Sequence, residues 1–287
     1  MTVTEPMTLA ARLAAPVARV RQALTDPAEL RVWLAEHAEV ELPERYEFWG
    51  RYTPEGDAPH QRLLHADDDR LRFAWLLDGV ETTTEITLSA DGPDATVLRL
   101  SQTHFDFNDV VNGTSIRGVL QTYWALTIAN LEAHLAGQPL LPRTDFTSSD
   151  FRGEMVIGAP ADKVWESLTD SEQASAWFGY PIGIEPWVGG RYAMGGFDSG
   201  FAAKVVDLEP GRKMSIDWGP AGVSSWELAE SEGRTKLTFV QSGFDEQNPP
   251  YAAWSGIVSG WAELRRFHEV PDWQPIWLPE ESATTAG

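Results

Sequence analysis

The sequence predicts an α+β protein of two tandem domains of one kind, each a curved antiparallel sheet wrapped around a long C-terminal helix and carrying two short helices. Three observations lead there. The segment APVARVRQALTDPAELRVWL from Ala15 returns without a gap as APADKVWESLTDSEQASAWF from Ala159. Behind each copy of that segment runs a series of period-two stretches separated by turn residues, the pattern of an antiparallel meander. An apolar stretch near helical spacing then closes each copy. The repeat spans about half of the 287 residues, beyond the roughly 20–50 residues of solenoid repeats, so each copy is long enough to bury its own core.

In the first copy MTLAARLAAP reads as a strand that Pro16 stops, and Val17 to Leu24 as a short helix. Asp26-Pro27 then supplies an N-cap and a first-turn proline for a second short helix reaching Trp33. Asp170 stands at the matching corner, so both aspartates read as caps rather than catalytic groups. In the sheet Leu71, Phe73 and Trp75 share one face, as do Met214, Ile216 and Trp218. Leu98, Leu100, Gln102 and His104 alternate in the same way against Leu237, Phe239, Gln241 and Gly243. GRY at 50–52 recurs at 190–192, which places Tyr52 and Tyr192 in phase with Phe48 and Met194 on the inner face and turns Arg51 and Arg191 outward. The closing helix is expected over about Val110 to Ala136 and again over Tyr251 to Val270.

The expected domains are residues 1–143 and 144–287, joined by an exposed connector over Gly137 to Asp150 that is rich in proline, serine and aspartate. Near the end, Trp273, Pro275 and Trp277 are expected to pack on a domain, and residues 280–287 to be disordered.

Composition narrows the function classes. With 43% hydrophobic residues and no run near the roughly 18 apolar residues of a membrane span, a soluble pair of cores is expected. The first residues lack a basic leader followed by an apolar block, so a cytoplasmic location is expected. The net charge of −21, shared by both halves, would repel a phosphate backbone and disfavours nucleic acid. Zero cysteines exclude disulfides and thiolate chemistry. The first half has arginine but no lysine, and alanine is abundant, the habit of a high-GC bacterial genome. The histidines, His37, His60, His65, His104, His134 and His268, show neither short helical pairing nor carboxylate clustering, so no metal is predicted. No phosphate loop, dinucleotide fingerprint or nucleophile elbow is present, so no cofactor is predicted either.

Several stretches of the second copy resemble the Bet v 1/START-like (SRPBCC) helix-grip superfamily, in particular its Hsp90-ATPase-activator-homologue-like branch. They are AP..VW..LTD......WF at Ala159 to Phe178, GGRY at Gly189 to Tyr192, Gly211 to Trp218, and Thr235 to Phe244. The first copy carries weaker versions. The resemblance implies a sheet gripping the closing helix, with a cavity between them for a hydrophobic small molecule. Related sequences commonly have a histidine in a THSGF-like strand end, where this chain has Gln102 and Gln241. Relatives include polyketide aromatase/cyclases and proteins of actinomycete enediyne gene clusters.

Inward polar side chains are costly without partners, so Gln102, His104 and Gln241 indicate a ligand or an internal water network. His104 and Asp106 share a face and are candidates for a base and its orienter, although Gly243 matches His104 while Asp245 matches Asp106. The phenols of Tyr52 and Tyr192 are suited to orienting a ligand carbonyl or hydroxyl. Of the 13 tryptophans, Trp33 and Trp177 are matched and read as structural. Trp226, aligned with Thr84, and Trp254 and Trp261 on the closing helix read as stacking surfaces. Trp75, Tyr123, Trp124 and Trp218 complete the expected lining. The leading expectation is binding, with cyclisation or tailoring as an extension, of a hydrophobic polycyclic or polyketide-like (enediyne-type) molecule. Two alternatives stay open: a chaperone-interacting protein of Hsp90 type, though no counterpart of the activators' N-terminal domain is present, and a structural duplicate whose pockets bind nothing.

Overall fold

A computed structural model of the chain describes residues 6–106, 109, 115–200 and 202–276. It divides into two compact units, one ending at Thr147 and the other running from Ser148 to Pro275, with Ile276 grouped with the first.

In the first unit β1 (Met7–Leu13) leads into α1 (Val17–Thr25) and α2 (Pro27–Trp33). The corner between the helices is held by Asp26, whose Oδ1 accepts from the Ala28 amide at 2.7 Å. Then come β2 (His37–Glu41), β3 (Arg45–Trp49), β4 (Gln61–Ala66), β5 (Arg70–Leu77), β6 (Val80–Ala90) and β7 (Thr96–Gln102). A 3-10 turn at Ile116–Val119 opens α3 (Leu120–Leu135); the expected helical residues 110–114 lie outside the described residues. The main sheet is antiparallel in the order β1-β7-β6-β5-β4, and β2-β3 form a separate hairpin. Where the ladder breaks, the Gln61 side chain bridges it, its Oε1 accepting from the Phe48 amide at 3.2 Å.

The second unit repeats the plan with β8 (Phe151–Ile157), α4 (Ala161–Thr169), α5 (Ser171–Phe178), β9 (Ile182–Ile184), β10 (Arg191–Met194), β11 (Ala203–Glu209), β12 (Lys213–Asp217), β13 (Val223–Ser231), β14 (Arg234–Ser242) and α6 (Tyr251–Glu269). Here all seven strands form one antiparallel sheet, β8-β14-β13-β12-β11-β10-β9. The duplication is visible in single hydrogen bonds. Trp33 Nε1 donates to Ala23 O and Trp177 Nε1 to Ser167 O, at 3.1 and 2.7 Å. Thr96 and Thr235 donate their hydroxyls to Ala15 O and Ala159 O, both at 2.7 Å.

The core lies between sheet and closing helix. Leu71, Phe73, Trp75 and Leu77 of β5 and Leu98 and Leu100 of β7 are buried against α3, and Met214, Ile216, Leu237 and Phe239 are their counterparts around α6. Eleven of the sixteen α3 residues are buried, more than one face supplies. The rest is covered by the segment after Gly137. Leu141 N donates to Asn130 Oδ1 at 2.9 Å, Phe146 N donates to Arg51 O at 2.7 Å, and Leu141 and Thr144 are buried. The stretch expected as an exposed connector is therefore largely part of the first unit. Its prolines signal turns, but Leu141 and Phe146 carry the apolar surface that covers the helix. In the second unit the chain likewise folds back after α6: Trp273 Nε1 donates to Glu263 Oε2 at 3.0 Å and its ring meets Phe267 edge-on at 5.3 Å. Trp277 and residues 280–287 lie outside the described residues. No helix among the described residues is long and apolar enough to cross a membrane.

Strand register corrects two correspondences read from the sequence. Tyr192 on β10 pairs with Ile184, and the residue in the same place on the β2-β3 hairpin is Tyr46, paired with Val40. Tyr52 instead lies past the end of β3, in a turn-rich loop. The echo of GRY is a short coincidence, and the true match, ERY at 44–46, is masked by a small change in spacing. Likewise Thr84 pairs with Gln102 and Ser224 with Gln241, so Thr84 corresponds to Ser224, and Trp226, paired with Phe239, corresponds to Ile86, paired with Leu100.

Candidate functional site

The inner wall of the first unit is closed by aromatic packing. Phe48 and Trp75 meet at 5.3 Å, Tyr46 and Phe73 at 5.4 Å, Trp75 and Tyr123 at 5.8 Å, and Trp75 and Trp124 at 5.9 Å. Trp75, Tyr123 and Trp124 are all buried. Gln102 points inward and is fully answered. Its Oε1 accepts from the Thr84 hydroxyl at 2.7 Å and from Trp124 Nε1 at 3.0 Å, while its Nε2 donates to Thr103 O at 3.0 Å. The amide that sequence alternation offered to a ligand is therefore spent inside the wall.

His104 does not continue the inward series. The alternation ends with β7 at Gln102, and His104 takes a left-handed turn conformation with φ 59°, exposed, its Nδ1 3.1 Å from Thr103 Oγ1. Gly243 has φ 77° in the matching turn. Asp106 is exposed as well. The turn therefore removes both groups from the inner wall, and with them the expected base and orienter.

The second unit's wall is built from the same strands but is more open. Trp254 on α6 stacks on Phe151 with centroids 5.0 Å apart and rings 1° from parallel, and continues through Phe239 to Trp261. Trp226 is buried between Trp165 and Trp261. Further along, Tyr192 on β10 meets Trp218 edge-on at 5.7 Å, and Trp218 Nε1 donates to Ser224 Oγ at 2.9 Å. Phe178, Tyr192 and Met194 pack on Ala174, Ile182 and Ile184. Trp218, Phe178, Tyr192, Met194 and Trp261 are only half-buried.

Two glycines one turn apart on α6 have space beside them. A methyl group at Gly256 would meet no atom within 4 Å, and one at Gly260 would lie 3.7 Å from the Phe178 ring. Glycine in a helix interior costs about 1 kcal/mol relative to alanine, so local helix stability is given up there.

Among the described residues of this unit, two buried polar atoms have no partner: Gln241 Oε1 and Trp261 Nε1. The other end of the Gln241 amide is fixed, its Nε2 donating to Ala221 O at 2.5 Å. Ser224, which stands where Thr84 stands in the first unit, accepts from Trp218. Burial pushes the Tyr192 phenol above its ordinary range, so it is a hydrogen-bond donor at neutral pH. Phe178, Tyr192, Met194, Trp218, Gln241 and Trp261 carry no carboxylate or imidazole, so their chemistry is recognition: flat apolar faces, one acceptor and two donors.

Arg51 and Arg191 are on the outside in ion pairs, with Glu36 at 2.7 Å and Glu185 at 2.9 Å. The hydrogen bonds from Arg51 hold the Glu36 carboxyl down to about 2. Sequence reasoning missed Tyr46, which ERY could have disclosed, and Phe178, the last residue of the repeated helical segment. It also missed Arg143, whose guanidinium lies 3.8 Å over the Tyr52 ring; only the return of the chain over α3 brings those two together.

Comparison with known proteins finds similarity to several solved structures and to one family. CalU16 from Micromonospora echinospora is 25% identical over 47% of this chain and 76% of its own, with a TM-score of 0.36. DynU16, a protein in the dynemicin biosynthetic locus, is 19% identical over 93% of this chain and 98% of its own, with a TM-score of 0.38. Aha1 from Colwellia psychrerythraea is 19% identical over 42% of this chain and 97% of its own, with a TM-score of 0.37. No curated protein matches the chain. The family model described as activator of Hsp90 ATPase homolog 1-like protein matches residues 14–136 and 158–266, once per unit and most of the chain in all. With two such matches in sequence, the chain belongs to the activator of Hsp90 ATPase homolog 1-like family as a tandem, two-domain member.

Proposed function

We propose that the protein binds a flat, hydrophobic, polycyclic or polyketide-like small molecule, and that the second domain is the principal site. The observation that carries this reading is the pair of unanswered polar atoms, Gln241 Oε1 and Trp261 Nε1, in an otherwise aromatic interior. Leaving such groups buried and unpaired costs roughly 1–3 kcal/mol each, a cost that a ligand with one donor and one acceptor removes. The half-buried rings of Tyr192, Trp218 and Trp261 supply stacking surface, and Gly256 and Gly260 leave room along α6. In the first domain the matching glutamine is satisfied by Thr84 and Trp124, so that amide is not left for a ligand. The Tyr192 phenol is suited to polarising a ligand carbonyl, so any cyclisation or tailoring step would proceed through orientation and hydrogen bonding at this wall.

The test is a tryptophan-fluorescence titration with a hydroxyanthraquinone. Saturable quenching at micromolar ligand is expected, about −8 kcal/mol. Gln241→Leu is expected to weaken binding by roughly 3- to 10-fold, the worth of one hydrogen bond, and Gln102→Leu to leave affinity unchanged once corrected for folded fraction. Absence of saturable quenching, or equal losses in both variants, would overturn the assignment.

A further inference from the structure

Arg143 lies against the aromatic side chains of the first domain with no carboxylate paired to it among the described residues. Its guanidinium carbon lies over the Tyr52 ring, 3.8 Å from the centroid, and its Nη1 is buried with no hydrogen-bond partner. The groups that act on it are the phenols of Tyr52 and Tyr123 and the charge of Arg51, and burial, the largest influence, pushes its pKa down. Arg51 carries the same charge and repels Arg143, and the Glu36 carboxylate beside it is engaged by Arg51.

Around Tyr123 the unanswered groups are all able to donate. Tyr123 OH, Thr53 Oγ1 and Trp75 Nε1 are buried without a well-formed hydrogen bond; the Tyr123 phenol stands beside the hydroxyls of Thr127 and Thr53 and within the field of Arg143. Trp75 packs on Tyr123 at 5.8 Å, and Phe146 flanks it at 6.4 Å. Thr53 and Tyr123 are 1% and 4% exposed, whereas Tyr52 and Arg143 are half-buried, so the donors sit deep and the cation stands nearer the surface. A guanidinium with one buried, unpartnered nitrogen beside groups able to donate, and no carboxylate, is the arrangement an oxyanion completes, since it supplies both counter-charge and lone pairs.

We infer that the first domain holds a carboxylate site formed by Arg143, Tyr123 and Thr53, which takes the acid group of a small organic molecule entering between the loop around Tyr52 and the segment after Gly137. The flanking rings of Tyr52, Trp75 and Phe146 suit an aromatic or aliphatic acid. This site is separate from the Gln241 wall, and the two proposals fail independently.

The experiment uses the full chain and isothermal titration with sodium acetate and sodium benzoate, each against sodium chloride at equal ionic strength. Saturable binding of either carboxylate, absent with chloride, is expected, together with at least a tenfold loss of affinity in Arg143→Gln. Gln241→Leu is expected to bind the carboxylates as the parent does. If Arg143→Gln does not fold, Tyr123→Phe keeps the ring and the charge and is expected to weaken binding several-fold. No saturable binding of either carboxylate, or equal binding by the parent and by the Arg143→Gln or Tyr123→Phe variant, would sink the site.

Discussion

His104 holds at φ 59° the left-handed turn position that Gly243 holds at φ 77° in the second domain. A side chain in this conformation costs roughly 1–2 kcal/mol, and glycine avoids the clash. Gly243 has open space around it, so its substitution is penalised by backbone conformation alone. Gly243→Ala is expected to lower stability by about 1 kcal/mol, whereas His104→Gly should be neutral or stabilising and leave hydroxyanthraquinone binding unchanged. Denaturant melts of both variants check this, and a clear loss of stability in His104→Gly would show that the imidazole is needed.

Gln102 joins β6, β7 and α3 through one amide. Gln102→Leu leaves the Thr84 hydroxyl and Trp124 Nε1 without an acceptor, at a cost of roughly 2–4 kcal/mol. Gln241→Leu removes an amide that is already half unanswered and is expected to cost less than its counterpart. Equal losses measured by urea unfolding would contradict the difference between the two walls.

On α6, Glu263 and Arg266 form a buried ion pair at 2.8 Å with side-chain exposures of 2% and 7%. Glu263 Oε2 also accepts from Trp273, and Arg266 donates to Gln274 O. Glu263→Ala removes the acceptor that Arg266 and Trp273 share, so it is expected to cost at least about 2 kcal/mol. Trp273→Phe keeps the ring but not the donor and should cost about 1 kcal/mol. Thermal melts separate the two.

Acid should loosen the protein in two stages. Burial depresses the pKa of His268, whose Nε2 lies 3.2 Å from Ser167 Oγ. The unfolded chain therefore takes up that proton first, and stability present above the ordinary value of 6.5 is lost as pH falls below it. Glu29 follows. Burial alone would raise its carboxyl, but hydrogen bonds from His134 and Arg19 hold it below 4.5, so its contribution is present above that value and disappears in more acidic solution. His268→Gln should flatten the upper stage of a stability–pH profile and leave the lower one; an unchanged upper stage would show that other groups cause it.

Ending the first domain early should also be costly. A fragment of residues 1–141 lacks Arg143 and Phe146, which cover Tyr52 and Tyr123. Relative to residues 1–147 it should be less stable by at least about 2 kcal/mol, the value of burying one large apolar side chain. Equal unfolding midpoints would mean that the returning segment adds nothing.

The repeat, the helix corners and the order of elements were legible in the chain because each rests on local rules. An aspartate caps a helix wherever the next amides are free, as at Asp26 and Asp170, and period-two alternation marks Leu71, Phe73 and Trp75 as one face whatever they pack against. Trp33 and Trp177 were legible as structural for the same reason. The candidate lining was legible only in kind. Alternation places Gln102 and Gln241 inside, but whether an amide is answered depends on what the opposite element brings, and Trp124 reaches Gln102 while nothing reaches Gln241 Oε1.

Tertiary structure alone decided the rest. Register, set by pairing across strands, replaced Tyr52 with Tyr46 and matched Thr84 with Ser224, because a shift of a residue or two in a loop is invisible to a motif but moves a side chain off its position in the sheet. A single left-handed residue ended the inward series before His104. The return of residues 141–146 over α3 turned an apparent connector into cover for the core and carried Arg143 to Tyr52. Spacing along the chain determines which face a residue shares with its neighbours; only the closing of one element on another determines which polar atoms are left to meet a ligand.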